Sequence, residues 1–319
     1  MPPRRTGKKL FTALLPIMVV VLLALVGLSA WLVYGATHPQ THPYLVTPEK
    51  FARLSDRGLK ATEETWSNRD GTSARGWLVR GAEGAPCVLL LHRYGADRSW
   101  LLNLGVKLSE ATNMTVLLPD LRGHGENPPA TASSLGTLES DDTLAAVDFL
   151  HTLKTAQGNT LAGRAVGIYG VEMGAYAALQ AARQNEKVRA LVLDSVPDTP
   201  DDVLRAAVKS HTGFDNRVLG FLAGIGTRLY FYGHYGSRAA CLAAENLGDR
   251  RVLLLSGNDA GPLRPATEAL SKCFPAHARA ESHTDLPVTG ITLTSASPEQ
   301  GELYDRRVIE FFDRTLRGN

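Results

Sequence analysis

The feature that most constrains this chain is a long stretch without a charge. Residues 11–34 contain no Asp, Glu, Lys or Arg and are dominated by Leu, Val and Ala. About 20 such residues, coiled as a helix, cross the hydrocarbon core of a bilayer, because a helix satisfies its own backbone polar groups where no water is present. Arg4, Arg5, Lys8 and Lys9 precede the stretch, and Trp31 and Tyr34 lie near its end. Basic residues stay on the cytoplasmic side and amphipathic rings settle at the far interface. The expectation is a basic cytoplasmic N-terminus over residues 1–10, a transmembrane helix over 11–34 with the bilayer as partner, and an extracytoplasmic (periplasmic or extracellular) domain. A cleaved signal sequence is the alternative. Its apolar region would span only about 7–15 residues, and Leu28 interrupts the small-x-small pattern before Ala30.

His38, Pro39, His42, Pro43 and Pro48 make residues 35–48 a short, stiff linker, which leaves 49–319 as one domain. With 44% apolar and 21% charged residues in the whole chain, this composition supports a packed core. The net charge is only +2, and the N-terminal cluster supplies much of the basic excess, so nothing implies nucleic-acid binding. Cys87, Cys241 and Cys273 are too few for a disulfide scaffold and fit no zinc spacing. They read as buried thiols, with a Cys241–Cys273 pair as the alternative in an oxidising compartment.

Beyond the linker, apolar runs alternate with amphipathic stretches. Strands are expected over 64–67, 74–79, 87–91, 115–118, 165–169, 190–193 and 252–255, with Asp70-Gly71 turning the first two into a hairpin. Runs such as Val88-Leu89-Leu90-Leu91 suit parallel strands covered on both faces. Helices are expected over 142–155, 173–184 and 304–316, and 200–247 reads as a small helical cover. In such sheets, ligands gather beyond the carboxyl ends of the strands. Four segments follow those ends: His92-Arg93-Tyr94-Gly95, Asp120-Leu121-Arg122-Gly123-His124-Gly125, Gly170-Val171-Glu172-Met173-Gly174 and Ser256-Gly257-Asn258-Asp259.

These segments, together with Trp77 and Leu193-Asp194-Ser195, resemble the α/β-hydrolase family, particularly its membrane-anchored esterase, lipase and peptidase-like members. The resemblance covers nearly everything beyond residue 60. It implies an α/β-hydrolase fold, a mostly parallel sheet with helices on both faces, here preceded by one N-terminal transmembrane helix. It also implies a GxSxG elbow, an oxyanion hole, and an acid followed by a histidine. Glu172 stands in the position of the serine. Arg93 replaces a glycine of the oxyanion loop, whose donors would be the Tyr94 and Met173 amides. Arg93 and Glu172 are expected to pair across the pocket. Asp259 fits the acid. His283 is the candidate histidine if the last strand lies near 278–281; a last strand over 288–293 would leave the following loop without one. The resemblance implies structural roles for His92 and His124.

Two classes of function remain open. One is a pseudoenzyme that uses the fold for binding or scaffolding, with a small-molecule or lipid-like ligand. The other is an active hydrolase of esters or related small substrates, with Glu172 as nucleophile or general base. No cofactor or metal motif is present in the sequence.

Overall fold

The computed structural model describes residues 4–54, 61–236, 238–275 and 278–317, with side chains from residue 12 onward except that of Leu54. The first three residues of the basic N-terminus, and the side chains of the rest of it, lie outside the described residues. In chain order the elements are α1 (Arg4–Thr37), α2 (Pro48–Leu54), β1 (Ala61–Ser67), β2 (Ser73–Val79), β3 (Cys87–Leu91), α3 (Leu102–Thr112), β4 (Thr115–Pro119), α4 (Thr137–Thr152), β5 (Val166–Val171), α5 (Met173–Ala182) and β6 (Val188–Asp194). There follow α6 (Pro200–Thr212), α7 (Arg217–Tyr230), α8 (Ala240–Ala244), β7 (Arg251–Gly257), α9 (Leu263–Leu270), β8 (Arg279–Leu286) and α10 (Pro298–Arg317).

The eight strands form one sheet in the order β1-β2-β4-β3-β5-β6-β7-β8. The β1–β2 and β2–β4 pairs are antiparallel, and every later pair is parallel. The expected hairpin forms around Asp70-Gly71, where Gly71 has φ 83°, a conformation glycine adopts without steric cost. β3, β4 and β5 are buried at every position, as strands covered on both faces must be. One core contains residues of α4, α5, α6 and α8, and a second on the opposite face contains α3 and α10. Between β6 and β7, the expected cover is built by α6, α7 and α8.

Three expectations change. The apolar helix does not end at Tyr34 but runs to Thr37, two residues before Pro39, and Leu32, Val33, Ala36 and Thr37 are buried against the domain. The linker is also pinned: Tyr44 donates to Asp120 at 2.6 Å, and the Leu45 amide donates to Ser99 at 3.0 Å. The apolar helix therefore joins the domain through packing as well as through the chain. Second, Cys241 and Cys273 are bonded to each other, joining α8 to the segment after α9, while Cys87 is a buried free thiol. Third, the last strand is β8, ending at Leu286, so His283 lies inside it opposite Leu255 rather than in the loop beyond.

Candidate functional site

The carboxyl end of β5 turns sharply into α5, and Glu172 alone makes the turn, at φ 49° and ψ −112°. A non-glycine residue in that region carries strain that its surroundings must impose. The constraint is visible at the flanking glycines. A Cβ on Gly170 would lie 2.4 Å from the Gly174 carbonyl oxygen, and one on Gly174 would lie 2.6 Å from the carbonyl oxygens of Leu91 and His92. The GxExG spacing thus marks a strand and helix packed too closely for side chains at those two positions. The turn is locked by Glu172 N–H donating to the Asp194 carbonyl at 2.9 Å and by Tyr176 N–H donating to the Glu172 carbonyl at 3.0 Å.

The Glu172 side chain folds back on the loop after β3, where its Oε2 accepts from the Tyr94 amide at 3.1 Å. That amide is one of the two donors expected to form the oxyanion hole; the other, Met173, opens α5. Although the residue keeps some solvent contact, crowding around its carboxylate pushes the pKa up to about 7, against the lowering effects of the Arg93 charge and the Tyr94 amide. The expected direct ion pair does not form, because no Arg93 nitrogen comes within 4.0 Å of the carboxylate. The guanidinium instead donates to the Tyr94 carbonyl at 3.0 Å and stacks over Trp100 at 4.6 Å. Its own backbone neighbour and an aromatic face have taken the cation, which acts on Glu172 only through space.

Just beyond β7, Asp259, the residue expected as the acid, has partners that are not histidines. Asp259 Oδ2 accepts from the Thr289 amide at 2.9 Å, from the Thr289 hydroxyl at 2.8 Å and from the Thr292 hydroxyl. These threonines lie in the loop beyond β8, the place where the resemblance implies the histidine. A second aspartate holds the same loop: buried Asp194, at the end of β6, accepts from the Gly290 amide at 2.7 Å, from Ser195 at 2.6 Å and from Tyr304. Gly290 allows this approach, since a Cβ there would lie 2.6 Å from a Val171 methyl and 2.7 Å from the Tyr169 hydroxyl. The sequence reading missed Thr289 and Thr292. The signal available was Thr-Gly beyond an apolar Pro-Val, but it becomes legible only once β8 is placed.

The two loop histidines are structural. His92 Nε2 accepts from the Leu121 amide at 3.0 Å, so its Nδ1 carries the proton donated to the Arg93 carbonyl at 2.8 Å, and burial depresses its pKa well below the usual value. His124 is buried beside it, with Nδ1 2.8 Å from the Arg122 carbonyl. Asp120 and Arg122 act in tertiary ties, Asp120 to Tyr44 and Arg98 and Arg122 to Asp142 and Asp70.

The end of α1 reaches this region. Tyr94, whose amide holds Glu172, donates its hydroxyl to the Ala36 carbonyl at 2.8 Å, and the Ser133 amide donates to the Thr37 carbonyl at 2.7 Å. Both carbonyls belong to the final turn of a helix, where no amide within the helix can reach them. A nearby cleft of about 150 Å³ is lined by Gln40, His42, Leu45, Trp100 and His124 but not by Glu172. Among the described residues no cluster of three or more His, Cys, Asp or Glu side chains is arranged to hold a metal ion.

Residues 88–312 match the family model described as "Alpha/beta hydrolase family". The chain belongs to the α/β-hydrolase family. Solved members with this fold include an esterase of Pyrococcus furiosus, 17% identical, with TM-score 0.66 over 87% of this chain and 99% of the esterase. A dienelactone hydrolase from Anabaena variabilis is 18% identical, with TM-score 0.55 over 81% of this chain and 99% of its own. A hyperthermophilic esterase from Pyrobaculum calidifontis is 14% identical, with TM-score 0.55 over 98% of both chains. No curated protein matches. At these identities the likeness carries the α/β-hydrolase fold alone, so the chemistry of this member rests on its own residues.

Proposed function

We propose that this protein is a membrane-tethered α/β-hydrolase-fold pseudoenzyme, with a binding or scaffold role on the extracytoplasmic side. The observation that carries the reading is the Glu172 carboxylate bonded to the Tyr94 amide. Ester hydrolysis by a serine-type elbow needs a hydroxyl nucleophile, a base to take its proton, and free amides for the oxyanion. Here a carboxylate stands in place of the hydroxyl and occupies one of the amides. Asp259, the group that would orient the base, spends three hydrogen bonds on threonines. The basic N-terminal cluster and the Cys241–Cys273 disulfide agree on topology, since disulfides persist in oxidising compartments. A ligand suited to this role is small or lipid-like.

A second reading is supported by the raised Glu172 pKa. A carboxyl group titrating near 7 is matched to general-base work on water, and this would make the protein a hydrolase of unusual design. The test is hydrolysis of a short-chain activated ester by the full chain in detergent micelles. The pseudoenzyme reading expects no turnover from the native protein and from Glu172→Ala alike, with hydrolysis appearing in the Glu172→Ser/Thr289→His double variant. Native turnover that Glu172→Ala abolishes would establish the general-base reading instead.

A further inference from the structure

Helix α7 has two apolar faces, and the domain uses one. Ala223 and Thr227 are buried, Leu222 packs against the core, and Gly226 faces Ser29 and Val33 of α1 so closely that a Cβ would lie 2.6 Å from a Val33 methyl. On the other side Val218, Phe221, Ile225 and Leu229 form a stripe at helical spacing, each between 44% and 72% exposed. Phe214 before the helix and Tyr232 after it extend the same exposure. Soluble monomers rarely present a contiguous apolar patch of this kind unless something covers it.

What covers it is indicated by the neighbour. α7 packs against residues 29–33 of α1, the end of a helix long and apolar enough to cross a membrane. Trp31 and Tyr34 are exposed there, where a spanning helix meets the headgroups. The only charged residues within α7 are Arg217 and Arg228, and Arg228 is paired with Asp201 at 2.6 Å. An apolar stripe flanked by basic residues is the composition of a helix lying in the interfacial plane.

We propose that the exposed face of α7 is sunk into the outer leaflet beside α1, so that the cover of the domain is a second, monotopic membrane contact. The proposal rests on the reading of α1 as a membrane span, and its consequence is a domain seated on the bilayer in one orientation rather than swinging from a tether.

Cys87 is fully buried and Cys241 and Cys273 are bonded, so an introduced thiol is the reactive one. The test labels Leu22→Cys in α1, Phe221→Cys in α7 and Glu310→Cys in α10 of the full chain with an environment-sensitive fluorophore. Each is reconstituted in phosphatidylcholine–phosphatidylglycerol vesicles carrying nitroxide lipids. With insertion of about 5–10 Å, the Phe221 probe loses roughly half its emission to a nitroxide near the headgroups, and less to one near the chain ends. The Leu22 probe responds more to the deep nitroxide, and the Glu310 probe to neither. If the Leu22 probe responds and the Phe221 probe is as accessible to aqueous iodide as that at Glu310, the α7 contact is overturned and the anchor stands. Shielding of Phe221 from iodide without lipid quenching means a protein covers the face, which also overturns the proposal. Absence of quenching at Leu22 removes the anchor reading and the α7 contact with it.

Discussion

The β5–α5 elbow and the loop beyond β8 both lie beyond the carboxyl ends of parallel strands, and on the proposed reading they depart from the hydrolase pattern in opposite ways. At the elbow the backbone is tightly constrained and the proposed reading has only the reactive group exchanged: Gly170 and Gly174 permit the close strand–helix approach, and Glu172 adopts a turn with positive φ. At the β8 loop the proposed reading keeps the acid but gives it new partners, with Thr289 and Thr292 bonded to Asp259 and Gly290 bonded to Asp194. The elbow is held by backbone contacts that leave no room for change, whereas the loop is held by side-chain hydrogen bonds that can be exchanged one at a time. On that reading, fold geometry outlasts chemistry where sterics enforce it.

The largest expected effect follows from that contrast. Gly174→Ala would drive a methyl against the backbone of two residues, Leu91 and His92, with no flexible side chain to yield. The expected loss is about 3 kcal/mol or more of stability, near the upper end for overpacking, measured by thermal unfolding in detergent. A loss below about 1 kcal/mol would mean the elbow can relax, and the distinction between the two regions would fail.

Next in size is a pH effect at Glu172. Its pKa rises from 4.5 to about 7 on folding, so between those values the folded state holds more proton than the unfolded state and stability falls as pH rises. The contribution is fully present below pH 4.5 and lost above about 7. Glu172→Gln removes this dependence, and the variant should gain on the order of 2 kcal/mol over the native protein between pH 5 and 8. Asp194 and Asp142, both raised to about 6, slope the same way, but they cancel in the difference between native and variant. A flat difference curve would show that the Glu172 carboxylate is solvated.

The sequence made the elbow legible and the loop obscure, for physical reasons. Glycines two residues either side of Glu172, after an apolar run, announce a sharp turn, and seven of the eight strands are apolar or flank a turn signal. β8 is different. It is an edge strand carrying Arg279, Glu281, His283 and Asp285, and only Leu286 at its end is buried, so its charges conceal it. Misplacing that strand by a few residues put His283 in the site and left Thr289 out. The last turns of α1 misled in the same way, since an apolar helix end reads alike whether lipid or protein covers it. The Cys241–Cys273 bond depends on the placement of α8 and the segment after α9, which local sequence does not encode.

Thr289→Val tests the loop directly. It removes one donor from Asp259 while the Thr289 amide and the Thr292 hydroxyl remain. The expected cost is about 1.5 kcal/mol, the lower end for a hydrogen bond to a carboxylate when other donors stay in place. A cost equal to that of Gly174→Ala would make the two regions equally rigid.

The smallest effect concerns the link between these regions and the apolar helix α1. Tyr94 holds Glu172 through its amide and the last turn of α1 through its hydroxyl, so one residue touches the elbow and the apolar helix. Tyr94→Phe keeps the amide and the ring against His124 and removes only the hydroxyl. The Ala36 carbonyl lies in a fully buried residue at a helix end, where an unmet acceptor carries a cost. About 1 kcal/mol or less should be lost in thermal unfolding. If the bond couples α1 to the elbow, hydrogen exchange should quicken over the final turns of α1, while the pH difference between native and Glu172→Gln backgrounds is unchanged, because the Tyr94 amide still meets the carboxylate. A changed pH difference would show instead that the hydroxyl positions the amide, and that α1 bears on the protonation of Glu172.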